Sequence, residues 1–233
     1  MANSALKSVI TAALLGMAVL ALPTLAAGPV KPVPAKPVPA KPVPALVIPA
    51  AKPGLLPDMS LGNPKAKITV IEYASAACPH CAHWNETVWP EFETKYVKTG
   101  KVRYIFREVL TNPRPYALSA FLIGRCAVNR SKDPTNSAPY FAVLNSFYSG
   151  QEIYYRTKRI GFVLSDVNTK TGMTEADVQA CVTDETALST FYDNMNAHMD
   201  ADQIESTPTF VVNGKKIEGH ELADLDAAIA AAK

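Results

Sequence analysis

From Lys67 to Ser75 the chain reads KITVIEYAS, apolar on both faces of an extended strand except at Glu72. Such a run predicts a central strand covered on both sides. Directly after it, Trp84, Val88, Phe92 and Tyr96 recur every fourth residue, the buried stripe of a helix. Pro90 lies inside that stripe and predicts a kink, and Gly100 a C-terminal stop. Val102, Tyr104 and Phe106 then alternate with polar residues as a second strand, completing a βαβ unit. From Pro113 to about Gln203 the spacing is helical, over 116–128, 139–148 and 175–199, with Thr174 and Asp177 resembling a helix start. Thr209 to Val212, Asn213-Gly214 and Lys215 to Glu218 read as a hairpin. Leu222, Leu225 and Ile229 mark an amphipathic terminal helix. The order βαβ, helical block, ββα predicts one α/β domain over 58–233, a central mixed sheet with an all-helical insertion at about 113–203.

The first 57 residues follow a different pattern. Lys7 precedes a mostly apolar run from Val9 to Leu22, and small residues stand at Ala26 and Ala27. Residues 1–27 therefore read as an export signal, cleaved or kept as a tilted anchor. The apolar run is shorter than the roughly 20 residues that a spanning helix needs. Lys-Pro-Val-Pro-Ala then occurs three times in register, at 31–35, 36–40 and 41–45. Proline at this density removes amide donors and fixes φ, so 28–57 should be an extended spacer of on the order of 90 Å, either a tether or a solvated tail. Without Lys7 and the four spacer lysines, the 23 basic residues fall to 18 against 21 acidic ones. That balance, with no clustered basic face, argues against nucleic acid as a partner.

The chemistry concentrates at Cys78-Pro79-His80-Cys81, between the strand and the helix. Two cysteines three apart at a helix start share a face and can close a small disulfide ring. Ala82 follows, so c-type haem attachment is excluded. A zinc site needs two more ligands from His80, His83, Cys126 and Cys181, and no second C-x-x-C or H-x₃-H exists. Redox chemistry is the better reading. Cys78, at the positive end of the helix, should form an accessible, low-pKa thiolate, with His80 adding a charge or a donor. Cys81, one turn in, should close or resolve the disulfide.

The run EYASAACPHCAHW resembles the active site of the DsbA-like family of periplasmic thiol:disulfide oxidoreductases, and the likeness covers most of 58–233, including the helical insertion. It implies a thioredoxin-like fold. Pro79-His80 matches the strongly oxidising members. Glu72 matches the buried acid beneath the cysteine pair, a candidate proton relay to Cys81; pairing with Arg103 or Arg107 is the alternative. Thr207-Pro208 matches a cis-proline loop facing the disulfide, whose residue 207 would pair with an extended substrate segment. Threonine there departs from the best-known oxidase and occurs in isomerase branches.

The resemblance implies a periplasmic oxidase that passes the Cys78–Cys81 disulfide to exported proteins and is reoxidised by a DsbB-like, quinone-linked membrane partner. The alternatives are a reductase or isomerase kept reduced by a DsbD-like protein, and a copper-binding envelope protein using Cys78 and Cys81. No cofactor is implied. Some DsbA-like proteins carry a second bridge. Joined, Cys126 and Cys181 would enclose about 55 residues, worth on the order of 4 kcal/mol. Free buried cysteines or a second redox couple are the other readings. His83, His198 and His220 read as surface or rim residues, and two Asn-x-Ser/Thr matches, at Asn85 and Asn129, as chance.

Overall fold

The computed structural model of the protein describes residues 56–232. The export segment and nearly all of the spacer lie outside them. Met59–Gly62 (β1), Ile68–Ala74 (β2), Val102–Glu108 (β3), Thr209–Val212 (β4) and Lys215–Lys216 (β5) form one mixed sheet, in the order β1-β3-β2-β4-β5. β2 runs parallel to β3 and antiparallel to β4, and both edge strands are antiparallel to their neighbours. Pro79–Thr87 (α1) and Trp89–Phe92 (α2), which continues as a π-helical stretch Glu93–Val97, connect β2 to β3. The insertion holds five helices: Arg114–Arg130 (α3), Ala138–Thr157 (α4), Gly161–Thr171 (α5), Glu175–Val182 (α6) and Glu185–Asp202 (α7). Leu222–Ala231 (α8) closes the domain. Among the described residues no helix is long and apolar enough to cross a membrane.

Alternation along β2 sends Val70 and Ala74 into the main core, in phase with Glu72, and Tyr73 to a smaller cluster with Val109, Ile204 and Val211. Glu72 is thus carried inside by the same pleat that buries its apolar neighbours. The insertion is fastened to the sheet by Arg125 of α3, which donates twice to the buried Glu108 of β3, both at 2.7 Å.

Several elements differ from the sequence reading. The stripe of Trp84, Val88, Phe92 and Tyr96 is buried, but the helix breaks at Val88 and restarts. Pro90 cannot donate back to residue 86, and its ring would meet that carbonyl, so the chain restarts with proline in a first turn. The 175–199 helix is two, divided where Asp184 caps α7 by accepting from the Ala187 amide at 2.9 Å. α5, which the sequence reading lacks, buries little besides Val163 and Val167. β1 is a four-residue edge strand with only Met59 fully covered, and β5 has two residues rather than four. Asn213 and Gly214, with φ of 44° and 80°, supply the tight turn before it.

α3 and α4 pack closely at Gly124. A Cβ there would lie 2.8 Å from Cδ2 of Tyr140, a buried ring whose hydroxyl donates to Glu108 at 3.1 Å. Gly124→Ala is therefore expected to destabilise the protein by about 1–3 kcal/mol, read as a lower urea midpoint with an unchanged slope.

Candidate active site

Ser75, Ala76 and Ala77 turn the chain from β2 into α1, closed by the Cys78 amide donating to the Ser75 carbonyl at 3.0 Å. Cys78 is the residue before α1, in extended conformation, with Pro79 in the first turn. That position aims the unpaired amides of the first turn at its sulfur. The turn is held from outside. Gln151 of α4 donates to the carbonyls of Ala76 (2.9 Å) and Cys78 (3.2 Å), and Tyr155 donates to that of Ala77. Ser75 Oγ accepts from the Thr111 amide (3.2 Å) and hydroxyl (2.9 Å), just before a cis Asn112-Pro113 bond.

Across from α1, the Thr207-Pro208 bond is cis and the Thr207 carbonyl lies 3.5 Å from Cys78 Sγ. Next to this contact opens a groove of about 520 Å³, lined by His80, Thr207, Pro208, Thr209, Glu218 and His220 among others. Trp84 fixes the far wall by donating to the His220 carbonyl at 2.7 Å. Cys78 and Cys81 both stand as free thiols. The sequence reading has Cys78 accessible. In the fold only 6 % of its surface is exposed, because the cis-proline loop covers it, and Cys81 is fully buried.

The two thiols are driven apart. The Cys78 thiol falls from 9.0 to about 5, first because Cys81 donates a hydrogen bond to its thiolate. Burial opposes this, while the Thr207 hydroxyl and the backbone amides of Cys81 and His80 reinforce it. The Thr207 carbonyl, which can only accept, favours the thiol, but it is one contact at 3.5 Å against several donors. His80 acts on the sulfur through its backbone N–H, whereas the sequence reading assigns that effect to its imidazole. Burial, the bond to Cys78 and the charges of Cys78 and Glu72 push the Cys81 thiol well above 9.

Glu72 is buried and pairs with neither Arg103 nor Arg107. Its carboxylate accepts from the Tyr104 hydroxyl, and Arg107 instead meets Asp58 at 3.3 Å and Asp202 at 3.1 Å. Burial raises Glu72 from 4.5 to about 8; the Tyr104 bond lowers it and the Cys78 charge adds to the rise. Cys126 of α3 and Cys181 of α6 are joined in a disulfide, with Cα atoms 5.9 Å apart. Among the described residues no three His, Cys, Asp or Glu side chains cluster as a metal site. Sequence reasoning missed Tyr104, Tyr148, Gln151 and Tyr155. Tyr104 read only as an apolar strand position, and the last two lie beyond the predicted end of the 139–148 helix.

The family profile described as Thioredoxin matches residues 55–231. A Rickettsia bellii protein named "Putative protein-disulfide oxidoreductase" is 32% identical over 172 residues, 74% of this chain and 63% of that protein. A Rickettsia prowazekii protein of the same name is 30% identical over 172 residues, 74% of this chain and 60% of its own length. The chain thus spans somewhat under two thirds of these curated relatives. The crystal structure of Wolbachia pipientis alpha-DsbA1 superposes with a TM-score of 0.64 at 25% identity, covering 76% of this chain and 91% of that one. Oxidised BdbD from Bacillus subtilis shares the fold, with a TM-score of 0.61 at 20% identity over 75% of this chain and 92% of its own.

Proposed function

This chain belongs to the thioredoxin family, and on that footing we propose that it is an exported protein thiol:disulfide oxidoreductase working as an oxidase. The observation that carries this reading is the contrast between the two thiols: Cys78 lowered to about 5, Cys81 raised well above 9. A thiolate that stable makes Cys78 the better leaving group. At pH 7 the fall to about 5 stabilises the reduced form by at most roughly 3 kcal/mol before allowance for solvent screening, which lifts the couple by at most about 60 mV over an unperturbed dithiol.

In the oxidising direction, a substrate thiolate attacks Cys78 Sγ of the disulfide and forms a mixed disulfide, and the electron pair of the broken S–S bond leaves on Cys81. Glu72, protonated at neutral pH, gives Cys81 its proton. A second substrate thiolate attacks the substrate sulfur and releases Cys78 as the thiolate. The substrate leaves oxidised by two electrons and the cysteine pair stays reduced. Thr207 and Pro208 would hold the substrate segment extended beside Cys78, in the groove that they line. Residues 1–27 would export the chain to the periplasm and 28–57 space the catalytic domain from its point of attachment. Reoxidation would come from a DsbB-like membrane partner.

Equilibration with glutathione tests the direction, and Cys81→Ser tests the chemistry. With its Cys78 first loaded as the thionitrobenzoate mixed disulfide, the variant is expected to release thionitrobenzoate to reduced, unfolded ribonuclease and to accumulate a Cys78–ribonuclease mixed disulfide, visible by mass, while the parent protein, resupplied by oxidised glutathione, oxidises the ribonuclease catalytically. A potential as low as that of thioredoxin, near −270 mV, would overturn the oxidase in favour of a reductase supplied by a DsbD-like partner. No adduct at all, with Cu(I) held by the two sulfurs, would overturn both.

A further inference from the structure

A cavity of about 310 Å³ opens between α1, α2, β3 and α4 and shares no lining residue with the groove at Thr207. Glu72 and Tyr104 lie on its inner surface, and Asn85, Glu93 and Asn145 are among its other lining residues. Tyr148 of α4 also lines it. The Tyr148 hydroxyl is buried, and no group among the described residues donates to it or accepts from it. A buried hydroxyl left without a partner costs about 1–3 kcal/mol, so this atom calls for water in a space with room for it. The hydroxyl also lies within electrostatic reach of Cys81, Glu72 and Tyr104.

We propose that Tyr148, together with Tyr104, holds water against the Glu72 carboxyl and thereby joins this acid to solvent through the cavity between α1 and α4. Tyr148 is then a positioning residue: it acts on Cys81 only through Glu72. The inference rests on the oxidoreductase reading and assigns the proton its route. When the reduced pair is reoxidised, Cys78 first forms a mixed disulfide. Cys81 must then lose its proton before its sulfur can attack Cys78 Sγ and expel the outgoing thiolate. Glu72 accepts that proton only as the carboxylate, so it must first release its own to the cavity water. Bonds from Tyr104, direct, and Tyr148, through water, favour that carboxylate. The titratable groups facing Glu72 are Cys78 just before α1, Cys81 within it, Tyr104 of β3, and Tyr140 and Tyr148 of α4, with Glu93 elsewhere on the cavity wall.

The test uses the reduced protein, oxidised glutathione, and rapid quenching to separate the glutathione adduct from the closed disulfide. Tyr148→Phe keeps the ring and removes the hydroxyl. Losing one water-mediated bond to the carboxylate is expected to move the pH at which ring closure switches on upward by about one unit, and so to slow closure about tenfold at pH 7. Tyr104→Phe, which loses the direct bond, is expected to shift it at least as far. In both variants the pH profile for alkylation of Cys78 stays where it is in the parent. A Tyr148→Phe profile that coincides with the parent's, or one in which Cys78 alkylation moves by the same amount, would overturn the inference. A parent protein that forms the adduct but never closes the ring would sink the oxidoreductase reading instead.

Discussion

At pH 6 iodoacetamide is expected to label Cys78 of the reduced protein and leave Cys81 unmodified. With Cys78 lowered to about 5, roughly 90% of it is thiolate at that pH, against about 0.1% of a thiol titrating at 9.0. A less basic thiolate is also a weaker nucleophile, by about 60-fold over four pKa units at a Brønsted slope near 0.45. Ionisation outweighs this loss, leaving Cys78 on the order of tenfold faster than an ordinary cysteine and far faster than Cys81. A small reagent is needed, because only 6 % of Cys78 is exposed. The rate should fall away through pH 5. Labelling that rises only above pH 8 would refute the thiolate. Cys78→Ser should abolish thiol exchange altogether, since Cys81 is fully buried and protonated.

The same shift makes the stability of the reduced protein depend on pH. A lowered thiol binds fewer protons in the folded than in the unfolded state, so its stabilisation is complete above about pH 9 and disappears as pH falls through 5. At pH 7 about half of it is present, on the order of 3 kcal/mol before allowance for solvent screening.

Glu72→Gln is expected to stabilise the protein while impairing it. Burial holds the carboxyl neutral up to about 8, so the native state resists an ionisation that the unfolded chain undergoes from 4.5. Stability is therefore complete below pH 4.5 and is lost as pH rises through 8. At pH 7 the loss is about 3 kcal/mol, widening by about 1.4 kcal/mol per unit between those limits. Glutamine keeps an acceptor for the Tyr104 hydroxyl and never ionises, so it escapes that loss. Urea midpoints of parent and variant should agree near pH 4 and diverge above it. Ring closure should slow by at least about 100-fold without the base. Midpoints that stay parallel from pH 4 to 8 would show that Glu72 ionises freely, and the relay would fall with it.

What the sequence determined here is local and periodic. The pleat of KITVIEYAS placed Glu72 in phase with Val70 and Ala74, and C-P-H-C next to that strand set a thiol at a helix start, because both follow from covalent spacing and backbone geometry. The helical insertion was legible as a region but not in its divisions. Pro90 and Asp184 break helices through single hydrogen bonds lost or gained, which apolar spacing does not register, and α5 buries too few side chains to announce itself.

Only the tertiary structure decided the partners. Thr207 meets Cys78 from 129 residues away, Tyr104 reaches Glu72 from 32, and Gln151 supports the turn from 75. Whether Glu72 would find an arginine or a tyrosine depended on which strand lies beside β2 and in what register. That is set by the packing of the whole core, and the pKa of each buried group depends on those partners rather than on its neighbours in the chain.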